Sequence, residues 1–221
     1  MRRVLVLRPE PGASATVELA FERGLDATSA PLFEVEPVAW NAPDAGGFDG
    51  LLLTSANAVR HAGEDLQELR GLKAYAVGEA TAEAAREAGF DIAATGDEGV
   101  DRLLGSLESD LKLLHLCGED RRDPADARQK ITAIPVYKAR AVEQPDLAAA
   151  ANAVVLIHSP RAGRRFAELV RDRQPITIAA ISKAAADAVG SGWKLVEAAP
   201  QPTDDALLAL AVRLCNNSLP E

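Results

Sequence analysis

At 221 residues the chain has room for one large or two small domains. Nearly half of it, 48%, is apolar, yet aromatics make up 4%, so Ala, Leu and Val must fill the cores. A net charge of -9 argues against a nucleic-acid groove, which needs clustered Lys and Arg, while leaving room for a locally positive site that takes a small anion. Arg2-Arg3 is followed by an apolar run, 4–7, too short for a secretory signal, and nothing approaches the roughly 18 apolar residues of a membrane span. Cys117 and Cys215 share no motif spacing and read as reduced thiols. A cytoplasmic protein is expected, without membrane or nucleic-acid partners.

In chain order, residues 4–7 predict a buried strand ending at Arg8-Pro9. A helix follows with Val17, Ala20 and Phe21 on one face, stopped by Gly24. Residues 31–40 read as extended and carry Pro31 and Pro37. Strands are then expected near 49–54, 74–77, 91–94 and 111–116, with helices near 56–70, 80–88 and 99–107. A polar stretch at 118–130 precedes a second extended segment, 131–142, with Pro135 and Tyr137. Strands near 153–158, 177–181 and 194–198 alternate with helices near 160–172, 183–190 and 204–215.

The pattern is written twice. Leu53-Thr54-Ser55-Ala56-Asn57 precedes Ala76-Val77-Gly78-Glu79 as Ile157-His158-Ser159-Pro160 precedes Ala180-Ile181-Ser182-Lys183. Ser55 to Gly78 is 23 positions, and so is Ser159 to Ser182. Each block is an apolar strand that ends on a small polar residue and opens a helix, the mark of a βα unit in a parallel sheet. Two copies imply two similar α/β domains with a cleft between them. Giving the first strand to the second copy equalises the strand numbers. The expected fold is therefore two similar doubly wound parallel-sheet domains joined by a two-stranded hinge. One domain takes 1–30 and 143–221 and the other 41–130, with 31–40 and 131–142 as the hinge strands.

Parallel sheets present ligands at their carboxyl ends, beside helix starts whose free N–H groups attract anions. Those ends carry Arg8, Ser55, Gly78, Gly118, Ser159 and Ser182. The serines also suit plain helix caps. Asp204 and Asp205 would repel an anion, so the helix start at Thr203 reads as capping alone. There is no Walker loop, no GxGxxG, no CxxC and no metal spacing among His61, His115 and His158. His115 and His158 lie in apolar runs and read as core or strand-end residues. A cofactor-free site that works by positioning fits this poverty of motifs.

The opening block at 4–9, Leu53-Thr54-Ser55-Ala56-Asn57-Ala58-Val59, Ala76-Val77-Gly78-Glu79-Ala80-Thr81-Ala82, Cys117-Gly118-Glu119-Asp120-Arg121, Pro135-Val136-Tyr137 and His158-Ser159-Pro160 together resemble the uroporphyrinogen-III synthase family, in order along essentially the whole chain. The resemblance implies cyclising dehydration of hydroxymethylbilane with inversion of the last pyrrole ring, a step of tetrapyrrole (haem) biosynthesis, with no metal or organic cofactor. It implies Tyr137 as the proton donor for departure of the hydroxyl. Substrate contacts are expected from Arg8, Ser55, Asn57, Gly78, Thr81, Gly118, Arg121, Ser159 and Ser182, with Arg122 as an alternative to Arg121. Ser182 and Ala185 stand where the first copy has Gly78 and Thr81, which weakens any role for the second turn. A monomer is expected, with transient handover of the bilane from the preceding enzyme. The rival reading is a non-catalytic, hinged two-domain protein that binds a small anion.

Overall fold

A computed structural model describes residues 3–96, 99–121 and 123–216. Along the chain, β1 (Val4–Val6) and α1 (Gly12–Glu22) lead to β2 (Ala27–Ser29) and β3 (Phe33–Pro37). Next come β4 (Gly50–Leu53), α2 (Ala56–His61), β5 (Ala74–Val77), α3 (Glu79–Glu87), β6 (Ile92–Gly96), α4 (Val100–Gly105) and β7 (Lys112–Gly118). The long β8 (Lys130–Ala141) precedes β9 (Val154–Ile157), α5 (Pro160–Leu169), β10 (Thr177–Ala180), α6 (Lys183–Ala188), β11 (Leu195–Ala198) and α7 (Asp204–Asn216). Two compact units result, one of 1–34 with 141–221 and one of 35–140. Among the described residues no helix is long and apolar enough to cross a membrane.

The first unit holds a parallel sheet ordered β11-β10-β9-β1-β2. Read by position in the chain, this is 2-1-3-4-5 from the β2 edge, one of the two common doubly wound orders. The second unit is ordered β3-β8-β7-β4-β5-β6, and its five strands from β8 to β6 are parallel. With Ser55 matched to Ser159, β4 to β8 fall in turn on β9, β10, β11, β1 and β2. The two sheets are therefore one pattern entered at different points, the second beginning at its third strand.

Alternation along the strands builds the layers. In the second unit Leu51, Leu53, Leu114 and Leu116 pack with α2 and α3, while Leu52 and Leu113 face Leu103 and Leu104 of α4. In the first unit Val4, Val6, Val154 and Leu156 pack under α7 and α1. The opposite face is covered by α5 and α6, which meet so closely that a Cβ on Gly163 would lie 3.1 Å from the Ala185 carbonyl. Full burial of each such Leu or Val contributes about 1.5–3 kcal/mol.

Two expectations need correction. The helix expected over 56–70 stops at His61, and a 3-10 turn at Glu64–Leu69 follows Gly63, whose φ of +71° breaks the helix. A strand absent from the sequence reading, β2, pairs with β1; its three residues are too few to show a period. The segment 131–142, expected as a hinge strand, runs mostly within β8, which has β3 on one side and β7 on the other; its parallel register with β7 shifts at Cys117–Gly118, and Val136 is wholly buried.

Candidate active site

In the second unit the strand order reverses between β7 and β4, where doubly wound sheets leave a crevice at their carboxyl ends. A pocket of about 310 Å³ lies there. Thr54 and Ser55 reach it from the end of β4, Val77 from β5, Cys117 and Gly118 from β7, and Tyr137 from β8. Val100, the first residue of α4, and the loop residues Asp120 and Arg121 complete the wall.

Tyr137 reaches the pocket through an irregularity. Cys117 pairs with Pro135, but Gly118 pairs with Tyr137, so Val136 is left over as a bulge. Proline offers no N–H to the ladder, which makes this a natural place for the pairing to slip. The bulge lays the phenol ring on Gly118: a Cβ there would stand 2.9 Å from Cε2 and Cζ and 3.2 Å from the hydroxyl oxygen. That is a physical reason for glycine at 118. The ring also packs on the α2–α3 side of the core, 6.3 Å from the His61 ring. Its hydroxyl has no hydrogen-bond partner among the described residues.

Ser55 caps α2, its hydroxyl oxygen accepting from the Asn57 N–H at 3.2 Å. Thr54 Oγ1 lies 3.0 Å from His115 Nε2. His115 is 2% exposed, and its pKa is lowered to about 4, first by burial and then by the Arg121 guanidinium, with Asp123 opposing. Burial pushes the Cys117 thiol up, against the pull of Arg121. Arg121 itself is paired with Asp123 at 2.9 Å. Buried Gln129 donates to the carbonyls of Leu104 and Glu108, tying the loop that bears Asp120 and Arg121 to the end of α4. Among the described residues no group of three or more His, Cys, Asp or Glu is arranged to hold a metal ion.

Of the sequence-predicted residues, Ser55, Gly118, Arg121 and Tyr137 meet in this pocket, and Asn57 supplies the N–H that fixes Ser55. Gly78, at φ +82°, opens α3 one strand further along, and Thr81 is buried on the inner face of that helix. Arg122 lies outside the described residues. In the first unit Ser159 and Ser182 cap α5 and α6, accepting from Ala162 N at 3.1 Å and Ala185 N at 3.3 Å. Arg8 donates to Asp204 at 2.8 Å and to Thr16 at 3.3 Å. The start of α7 therefore does more than cap: Thr203 takes the Ala206 N–H while Asp204 engages Arg8, with His158 Nε2 3.5 Å away. His158 and Arg8 hold the Asp204 carboxyl below its usual range, against the opposing effect of burial. Thr54, Val77, Val100, Cys117 and Asp120 were not singled out as site residues, although Thr54 and Cys117 each stand beside a strand-end residue that was.

The family profile of uroporphyrinogen-III synthase HemD matches residues 14–209. The chain belongs to the uroporphyrinogen-III synthase family. A uroporphyrinogen-III synthase of Chlorobaculum parvum is 34% identical over 101 residues, a match that spans 42% of this chain and 41% of that one. The crystal structure of the Helicobacter pylori uroporphyrinogen-III synthetase superposes with a TM-score of 0.69 at 19% identity, covering 97% of this chain and all of that one. A mutant uroporphyrinogen III synthase of Thermus thermophilus gives 0.52 at 18% identity, over 98% of this chain and 100% of its own. At such identities these two structures establish the shared fold.

Proposed function

We propose that this chain converts hydroxymethylbilane to uroporphyrinogen III, closing the ring with loss of water and inverting the last pyrrole. Family membership supplies the reaction, and one observation carries the assignment of its centre. Tyr137 lies on Gly118 at the switch-point pocket with its hydroxyl free of protein partners among the described residues. At about 310 Å³ the pocket falls at the small end of ligand sites and suits one end of the bilane.

The chemistry asks for positioning and one proton. Tyr137 gives its proton to the hydroxymethyl oxygen as the C–O bond breaks, and water leaves. The pyrrole nitrogen lone pair supplies the electrons, leaving an azafulvene-like cation. The last ring attacks through its substituted carbon to form a spiro intermediate, which breaks and recloses with that ring inverted. Loss of the final ring proton returns a proton to the phenolate, so the net change is one water. Val77, Val100 and the Tyr137 ring offer an apolar wall to a pyrrole, and Arg121 offers charge to its carboxylates. Holding both ends of a flexible chain for ring closure is worth more than any single strong nucleophile.

The test supplies freshly made hydroxymethylbilane and measures the ratio of type III to type I product. An excess of type III that scales with protein supports the reading. Spontaneous type I alone would overturn it.

A further inference from the structure

Thr54 and His115 form a polar pair in the pocket wall that no step above employs. The threonine lines the pocket, and its hydroxyl lies 3.0 Å from His115 Nε2. The imidazole is buried on β7, across the sheet from Leu52. Burying an imidazole for packing alone is costly, since its polar atoms forfeit water. The fold itself shows that the position does not require it. With Ser55 matched to Ser159, His115 falls on Val6, which pairs with Leu156 as His115 pairs with Leu52 and sits wholly buried in the first unit's core. The partner Thr54 falls on His158, so the hydroxyl–imidazole pair occurs in the second unit alone.

We propose that Thr54 contacts substrate, its oxygen accepting a hydrogen bond from the pyrrole N–H at the hydroxymethyl-bearing end, and that His115 is the positioning residue that aims it. Nε2 accepts the threonine proton, which turns the oxygen lone pairs toward the pocket and makes them better acceptors. The neutral state of His115 suits this role twice over. A protonated ring could not accept from the hydroxyl, and it would add positive charge beside a pyrrole that is becoming a cation. The hydrogen bond to that N–H strengthens as charge develops, so it assists the transition state more than the bound substrate. Ser55 is already engaged by the Asn57 N–H, and Tyr137 serves the leaving oxygen.

This inference rests on the proposed reaction, and the test separates the two. Thr54→Val, Thr54→Ser, His115→Leu and His115→Gln are compared with wild type on fresh hydroxymethylbilane, with type III product, kcat, KM and melting temperature recorded. Thr54→Val and His115→Leu should each lower kcat roughly 10–100-fold, the loss of one hydrogen bond to a charged group, with KM nearly unchanged. Thr54→Ser keeps the hydroxyl, and His115→Gln keeps a side-chain acceptor; both should recover most of the rate. The Val/Leu double variant should be little worse than either single one, because one interaction is removed once. Thr54→Val with normal kcat, beside a wild type that makes type III, overturns the inference alone. So does a rate lost equally in Thr54→Val and Thr54→Ser. A wild type that makes no type III overturns the reaction assignment, and the inference with it. Should His115→Leu not fold, the two threonine variants carry the decision.

Discussion

Gly118 and Tyr137 are locked together: the ring of one occupies the space that a side chain on the other would need, 2.9 Å from the missing Cβ. Gly118→Ala must therefore push the phenol off its seat or bend β8. Overpacking of this kind costs about 1–3 kcal/mol. Turnover should fall more than stability does, because the displaced group is the proposed proton donor. Gly71→Ala is the control, since a Cβ there meets nothing within 4 Å. Melting curves and initial rates of type III formation decide it; a Gly118→Ala enzyme with wild-type rates would detach the ring's position from the chemistry.

Tyr137→Phe keeps the ring, its contact with Gly118 and its packing on the core, and deletes the donor. General acid assistance is typically worth about 10²–10⁴ in rate. Turnover should fall by that order while the melting temperature holds. Dehydration precedes the choice of ring orientation, so enzymic product should remain type III after spontaneous type I is subtracted. Near-normal turnover would reduce Tyr137 to a packing residue.

The two parallel sheets were legible because buried strands and helix starts alternate so regularly, and because Ser55 and Ser159 repeat the same step. The serine caps followed from residue type and place. What the sequence hid was geometric. β2 is three residues long, and β8 carries a proline and mixed polarity that read as a connector until its register with β7 is seen. The bulge that turns Tyr137 onto Gly118 depends on pairing across the sheet, which no local period records. Likewise His115 reads as one more buried residue in Leu113-Leu114-His115-Leu116; its partner Thr54 lies 61 positions away in sequence. Arg8 looked free for an anion because Asp204, 196 positions further on, was invisible to local reading.

That Arg8–Asp204 pair predicts a stability effect in the first unit. Both side chains are about one-third exposed, at 32% and 36%, so screening limits the pair to about 1 kcal/mol. Arg8→Met and Asp204→Asn should each destabilise, and the double variant should recover part of the loss, with a coupling of about 1 kcal/mol by urea unfolding. KM for the bilane should stay near wild type in Arg8→Met, because its guanidinium is committed to Asp204 and Thr16. Strictly additive stabilities together with a raised KM would return Arg8 to the substrate.

His115 should write its burial into the pH dependence of stability. Its pKa is 6.5 ordinarily and about 4 in the folded protein, with burial the main cause. Between those values the unfolded chain binds a proton that the folded protein refuses. Stability is thus complete above pH 6.5 and declines as pH falls toward 4, by about 3 kcal/mol over the whole window at 1.36 kcal/mol per pKa unit. Asp204 acts lower: its depressed carboxyl loses stability below the ordinary 3.8, so the two effects separate. The lowered pKa of His61 acts in the same direction as His115 but is common to both proteins compared. Urea unfolding of wild type and His115→Gln at several pH values from 7 to 4.5 isolates the term. The wild-type curve should fall more steeply through that range, because glutamine does not titrate. Two parallel curves would mean that the imidazole takes up its proton in the folded protein as readily as in the unfolded one, so that burial does not hold it neutral.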